Sequence, residues 1–240
     1  MLTTIEGMQS EIFVPVTPKP IFTELKKPLS ECKVAFITAG GIHRKDQTPF
    51  NTSGDFSYRV IDFDTPSSML MVTHGGFDNS DINKDVNAMF PIDRLHELVK
   101  EGFIGSLPKE TYTFMGGGGN VEKFRNETGP EIAKKLKAQG VDVVLCTGGC
   151  GTCHRSATIV TRCCEAEGMS CCVIAALPPI ARQQGAPRIT APHVPIGSNA
   201  GEPNNIPMQT AILKESLEWV RDCPHYNGLK VLPYEYRHNV

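Results

Sequence analysis

Val143-Val144-Leu145-Cys146-Thr147-Gly148-Gly149-Cys150-Gly151-Thr152-Cys153-His154-Arg155 is the stretch whose reading decides the fold. Its apolar, β-branched start predicts a buried strand, the glycines predict a tight turn, and the segment running on to Gly168 predicts a helix. Cys171-Cys172-Val173-Ile174-Ala175-Ala176 is a second apolar strand, so strand, helix and strand form a parallel β-α-β unit with the usual right-handed crossover. The two cysteines then fall at the start of a helix. Unpaired backbone N–H groups and the positive end of the helix dipole meet there, and both favour thiolate over thiol. Cys150, with a glycine on either side, is the best nucleophile candidate in the chain.

Outward from this unit the same alternation continues. Lys33 to Thr38 reads as a buried strand closed by Ala39-Gly40-Gly41, a turn of the kind that opens a ligand crevice in parallel sheets. His43 follows it as a loop residue. Phe56 to Ile61 and Thr111 to Met115 are further strands, and Pro91 to Glu101 is a helix with proline in its first turn and Gly102 as its stop. Residues 120 to 139 are helical with a break at Gly129-Pro130. Leu177 to Gln184 is a short helix, residues 185 to 207 are loop, and Met208 to Arg221 is a helix with Ile212, Leu213, Leu217 and Val220 on one face. Lys230 to Tyr236 is an extended packing strap. The expected fold class is α/β, a mainly parallel sheet with flanking helices in Rossmann-like or flavodoxin-like layers. Residues 1–31, broken by Pro15, Pro18, Pro20 and Pro28, form an N-terminal extended arm expected to lie on another surface, and 32–240 form a single α/β domain.

With 240 residues, 40% hydrophobic and 21% charged, the chain is long enough to bury a sizeable core. A net charge of -2 leaves no clustered basic surface, which argues against nucleic acid as a partner. No membrane span and no secretory signal are read, so the expected location is cytoplasmic. Nine cysteines are an odd number with two adjacent pairs, in a chain too large to need a disulfide framework, and most are expected to be reduced. Cys32, Cys146, Cys163, Cys164, Cys171, Cys172 and Cys223 read as small apolar packing groups.

For Cys150 and Cys153 three chemistries compete. One Cys-x-x-Cys is half a zinc site with no second half in view, so no metal is expected. Cys-x-x-Cys-His also matches a haem-attachment string, but a buried strand in an α/β chain is the wrong context for it. Redox exchange or nucleophilic attack is left. Elsewhere, residues 74 to 87 pack one histidine, three aspartates and three asparagines into a span without helical or strand periodicity. That composition suits a solvated loop tied by Asx turns, or a substrate or interface loop. Candidate substrate or interface residues are His74, Asp78, Asn79, Glu202 and Asn204. Gly116-Gly117-Gly118-Gly119 is neither a Walker A sequence nor a dinucleotide fingerprint, and reads as a flexible turn or a close contact.

Thr147-Gly148-Gly149-Cys150-Gly151-Thr152-Cys153-His154-Arg155-Ser156-Ala157 resembles the selenocysteine loop of the selenocysteine-bearing small (gamma-type) subunit of the D-proline reductases. The wider group holds the B-component selenoproteins of glycine, sarcosine and betaine reductases. Gln9 to Pro15, His74 to Asp81, Phe90 to Arg94, Phe114 to Gly119, Gly201 to Asn205 and Leu232 to Tyr236 look like the same subunit, so the likeness covers the whole chain. It implies amino-acid fermentation chemistry. A pyruvoyl group on a separate partner subunit would activate the substrate amine of D-proline, and the residue at 150 would attack the α-carbon and open the C–N bond. Cys153 would then resolve the carbon-bound intermediate, releasing 5-aminopentanoate, and a dithiol or redox-protein electron donor would reset the pair. No cofactor is implied within this chain itself. The departure is position 150, which carries cysteine where the family carries selenocysteine: a natural variant, an engineered replacement, or a selenocysteine transcribed as Cys. A subunit for another amino acid, a dithiol electron carrier without its own substrate, and a binding homologue without catalysis are the competing readings.

Overall fold

The computed structural model describes residues 20–117 and 121–236. A short 3-10 turn, Leu29–Glu31, leads into β1 (Val34–Ala39), and β2 (Ile42–Arg44), β3 (Tyr58–Asp62) and β4 (Leu70–Val72) follow. Next come α1 (Ser80–Lys84), a 3-10 turn at Val86–Ala88, α2 (Ile92–Lys100) and β5 (Glu110–Phe114). A helical stretch then holds α3 (Val121–Lys123), a π turn (Phe124–Thr128) and α4 (Gly129–Ala138). The chain continues as β6 (Val143–Gly148), α5 (Gly151–Ala166), β7 (Ser170–Ile174), α6 (Pro178–Gln183), β8 (Arg188–His193), α7 (Ile206–Asp222) and β9 (Gly228–Glu235).

Seven strands form one sheet in the order β3-β5-β1-β6-β7-β8-β9, and β2 pairs with β4 in a separate antiparallel ribbon. Only β3 runs antiparallel in the large sheet, paired with β5 at its edge. All other pairings are parallel. The core shows why the central strands are apolar throughout. Along β1, Val34 and Phe36 face Ile92, Leu95 and Leu98 of α2 and the apolar stripe of α7, whereas Ala35, Ile37 and Ala39 face α4 and α5. Strand β6 divides in the same way, Val143 and Leu145 to one side and Val144 and Cys146 to the other. A strand covered on both faces has no polar side to offer.

Four features depart from the sequence expectations. Residues 185–207, expected as loop, contain β8, whose Pro192 and Arg188 hide a strand buried at five of six positions. The polar block 74–87 is not all loop: α1 and the following 3-10 turn bury Asp81, Ile82, Val86 and Asn87. The break at Gly129-Pro130, by contrast, falls as expected: α4 starts at Gly129 with Pro130 in its first turn, and a π turn runs straight into it. His43 lies on β2, fully buried, with its ring nitrogens bonded to the Arg44 carbonyl and the Thr73 hydroxyl. The C-terminal strap proves to be the edge strand β9, parallel to β8.

Residues 1–19 of the arm lie outside the described residues. The rest packs on this chain's own sheet. Phe22 stacks 4.0 Å from the Arg188 guanidinium, the Thr23 carbonyl accepts from Arg188 at 2.7 Å, and the Thr23 N–H and hydroxyl both bond Glu165. Arg188 and Glu165 pair at 2.8 Å with side chains 1% and 0% exposed. Among the described residues no helix is long and apolar enough to cross a membrane.

Candidate active site

The chain passes from β1 outward to β5 and then back across β1 to β6, so the strand order reverses beside β1. In open α/β sheets the crevice at the carboxyl ends of such strands is where ligands bind. Three strand ends meet there: Ala39-Gly40 after β1, Met115-Gly116 after β5, and Gly149-Cys150 after β6. Cys150 is the N-cap of α5 in extended conformation, half-buried, and Cys153 lies one turn on with no exposure.

The two sulfurs are 2.9 Å apart and unbonded. Cys150 Sγ is also 2.9 Å from the Thr152 hydroxyl, and Cys153 Sγ is 3.0 Å from the Met115 carbonyl it can donate to. Hydrogen bonding from the Cys153 thiol, helped by His74, Thr152 and the Cys153 N–H, pulls the Cys150 thiol down to about 3 against the opposing cost of burial. Cys153 moves the opposite way, raised by its bond to the Cys150 sulfur and by burial. One sulfur holds the charge and the other the proton.

His74 arrives from the loop after β4, its Nε2 2.9 Å from Cys153 Sγ and 3.1 Å from the Met115 carbonyl. Gly76 N–H donates to its Nδ1 at 2.9 Å, and the Asn79 amide donates to its backbone carbonyl at 2.8 Å. Phe77 packs on the imidazole with centroids 4.4 Å apart and touches Gly149, where a Cβ would come within 2.6 Å of the Phe77 ring. His154 holds the other side. Leu177 N–H donates to its Nε2 at 3.1 Å, so Nδ1 carries the proton and donates to the Cys150 carbonyl at 2.9 Å, while burial pulls the imidazolium's pKa down. Asn199, fully buried, donates to the Gly148 carbonyl at 2.8 Å and fixes the last residue of β6.

Of the glycine run, Gly116 has a defined role. At φ +67 its backbone presses on α5, and a Cβ there would lie 2.9 Å from the Cys153 Cα. Its carbonyl accepts from the Ser156 hydroxyl at 3.0 Å. The run is a contact with the cysteine helix, and its residues 118 and 119 lie outside the described residues.

The structure thus brings His74 to the cysteines and places Asn79 behind it. Asp78 caps the next turn, bonding the Ser80 N–H and hydroxyl. Glu202 bonds Asn205, and Asn204, at φ +61, donates its N–H to Asp85 at 2.8 Å. Asn204 and Asp85 line a polar cavity of about 570 Å³ whose walls include none of the cysteine-cluster residues. Thr152, His154, Asn199 and the Met115 carbonyl were not singled out as site groups from sequence. Thr152 sits inside the motif and could have been, whereas a carbonyl or a distant asparagine leaves no signal.

His74, Cys150 and Cys153 offer three soft donor atoms within 4.8 Å of one another, a set that could hold a metal ion. Against that use, the Gly76 N–H occupies Nδ1 and so keeps the imidazole proton on Nε2, the atom facing the sulfurs. In this arrangement the ring donates a hydrogen bond.

Alkylation of Cys150 by iodoacetamide should therefore stay fast at pH 5 and fall only as pH approaches about 3, because the thiolate is the reactive form and persists above its lowered pKa. Cys153→Ala removes the main cause and should move that midpoint up towards neutrality, read by mass spectrometry of the labelled peptide.

At its switch point the doubly covered α/β sheet holds an acidified, half-buried thiol beside a buried partner thiol that keeps its proton. Comparison with known sequences places the chain in a family. The model of the family described as glycine/sarcosine/betaine reductase selenoprotein B matches residues 4–149, its match ending one residue before Cys150. The D-proline reductase subunit gamma of Acetoanaerobium sticklandii is 54% identical over 98% of this chain and 97% of its own. The glycine reductase complex component B subunit gamma and the sarcosine reductase complex component B subunit beta of Peptoclostridium acidaminophilum are each 31% identical, and the chain spans about half the length of both. No solved structure matches. The chain belongs to the glycine/sarcosine/betaine reductase selenoprotein B family.

Proposed function

We propose that this chain is the thiol-bearing catalytic subunit of a D-proline reductase, opening the ring C–N bond to give 5-aminopentanoate. The observation that carries the reading is the Cys150–Cys153 pair, one sulfur acidified and half-open, the other buried at 2.9 Å. The near full-length likeness to a D-proline reductase gamma subunit supports the choice of substrate over glycine, sarcosine or betaine.

In the proposed cycle the Cys150 thiolate attacks the α-carbon. A C–S bond forms, the C–N bond breaks, and the electron pair leaves on the ring nitrogen, which takes up a proton. Cys153 then attacks the Cys150 sulfur. An S–S bond forms, the C–S bond breaks, and the electron pair stays on the α-carbon, which is protonated to CH₂. The substrate gains two electrons and two protons, the cysteines lose them, and an external dithiol restores the pair by exchange. An amine is a poor leaving group, and a pyruvoyl group on a partner subunit would supply the electron withdrawal that improves it. Within this chain, the α5 N-terminus and Thr152 hold the thiolate, and Thr152, His74 and Met115 line the pair.

The test is reconstitution. The chain alone should form no 5-aminopentanoate; with the pyruvoyl-bearing partner and a dithiol, product should appear in proportion to D-proline. Cys153→Ser should stop after one turnover with the carbon skeleton held on Cys150, visible as a mass increase on the peptide carrying residue 150. Multiple turnovers in Cys153→Ser would reject the resolving role. Disulfide reductase activity of the isolated chain, with no proline dependence after reconstitution, would favour an electron carrier.

A further inference from the structure

We propose that His74 is a catalytic hydrogen-bond donor for the second half of the cycle: its Nε2–H stabilises Cys153 as a thiolate once the Cys150 sulfur is covalently occupied. The proposal rests on the dithiol reading of the site, but its chemistry can be followed without substrate or partner.

The resting pair is arranged around charge on Cys150, which is stabilised by the Cys153 thiol, His74, the Thr152 hydroxyl and the Cys153 N–H. When the Cys150 sulfur bonds to carbon or to another sulfur, that anion is gone. Cys153 must now become the nucleophile, in a position with no solvent exposure and with the Met115 carbonyl 3.0 Å from its sulfur. A buried anion facing a carbonyl is costly unless a donor reaches it. His74 Nε2–H does so at 2.9 Å.

The ring is held in the form that donates. A backbone N–H can only donate, so the Gly76 N–H on Nδ1 puts the imidazole proton on Nε2. Phe77 packs against the ring at a tilt and the Gly76 N–H on Nδ1 holds it against a turn away from the sulfurs, while Asn79 fixes the His74 backbone carbonyl. Before the switch Nε2–H is shared with the Met115 carbonyl at 3.1 Å, so moving it to Cys153 needs no change of rotamer. In the step, the Cys153–Cys150 S–S bond forms, the bond from Cys150 to its bound group breaks, and the electron pair leaves on that group. The Cys153 proton passes to the leaving group or to solvent, and His74 keeps its own. The groups facing the pair are His74 from the β4–α1 loop, the Met115 carbonyl from the end of β5, and Thr152 and His154 from α5. Among the described residues no carboxylate hydrogen-bonds either sulfur.

The experiment treats the reduced full-length chain with one equivalent of a chromogenic aromatic disulfide, dithiobis-nitrobenzoate. Attack by Cys150 releases the first nitrothiolate, and attack by Cys153 on the resulting mixed disulfide releases the second. Cys153→Ser marks the first phase alone. His74→Phe keeps a ring for Phe77 but has no donor. Both phases are timed: the first reports the loss of His74's help to Cys150, and the second should slow about 10-fold or more at pH 7 beyond any change in the first, with its pH midpoint up by about one unit. His74→Gln, which restores an N–H, should recover most of the second phase. A second phase in His74→Phe with unchanged rate and pH profile overturns the proposal, as does a His74→Gln variant that melts normally yet is as slow as His74→Phe. Should His74→Phe fail to fold, His74→Leu is read by the same two phases. Failure of proline reduction in reconstitution would bear on the substrate and leave this result standing.

Discussion

Cys150→Ala is expected to reduce D-proline-dependent turnover of the reconstituted enzyme by roughly 10⁴-fold or more, since it deletes the atom that forms the bond to carbon. Loss should fall on kcat, because the remaining crevice, with Thr152, His74 and Gly76 in place, still presents the same surface to substrate. The fold should survive. Cys150 makes no side-chain cap of α5, and the clamp from His154 bonds its backbone carbonyl. Cys150→Ser is an informative companion, since a hydroxyl keeps the hydrogen bonds but stays protonated at neutral pH, so it should be nearly as inactive. Selenocysteine at 150 should act in the other direction and raise turnover, being the better nucleophile and leaving group at neutral pH. Whether the gene encodes cysteine there is read from the codon. Turnover by Cys150→Ala within tenfold of the parent chain would remove residue 150 from the mechanism.

Arg188→Met should destabilise the fold by about 3–5 kcal/mol, the usual consequence of stranding one partner of a buried ion pair. Glu165 would remain, fully buried, with only the Cys171 N–H and the Thr23 donors to hold it. Burial already pushes its carboxyl above the ordinary range, with Arg188 the largest opposing influence. Without Arg188 the folded-state pKa rises further, so the folded chain prefers the protonated acid. Stability of the variant should therefore be best at pH values below the ordinary carboxylate range and be lost as pH rises through the raised value. Urea midpoints at pH 5 and pH 8 measure this. Arg188→Met combined with Glu165→Leu should recover most of the loss, because an apolar pair carries no desolvation cost. Equal midpoints for the single and double variants would show that the lost packing against Phe22 dominates.

The β-α-β unit, the apolar central strands and the pairing of Cys150 with Cys153 were legible because each is local: a run, a turn and a helix register within a few residues. Strand β8 was not, since Arg188 and Pro192 break its pattern while the charge is answered by Glu165, more than twenty residues away. His74 could be picked from its polar block, but its partnership with Cys153 spans 79 positions and depends on how the β4 and β5 ends converge. Glu202 and Asn204 stand out by composition alone, and in the fold they bond Asn205 and Asp85. Buried polar groups paired across the fold are what the linear pattern hides.

The unequal exposure of the two sulfurs has a consequence for how this scaffold accommodates different elements. Position 150 faces Gly76, where an added Cβ would lie 3.3 Å from the sulfur, already a tight contact, and its hydrogen-bonding neighbours are the Thr152 hydroxyl and the Cys153 thiol. Enlarging the atom there would press on a loop glycine, which carries no side chain of its own. Position 153 is walled by Met115, Gly116 and His74, with no room to enlarge. An exchange of sulfur for selenium in this scaffold would thus have one address, position 150, with the rest of the chain left as it is.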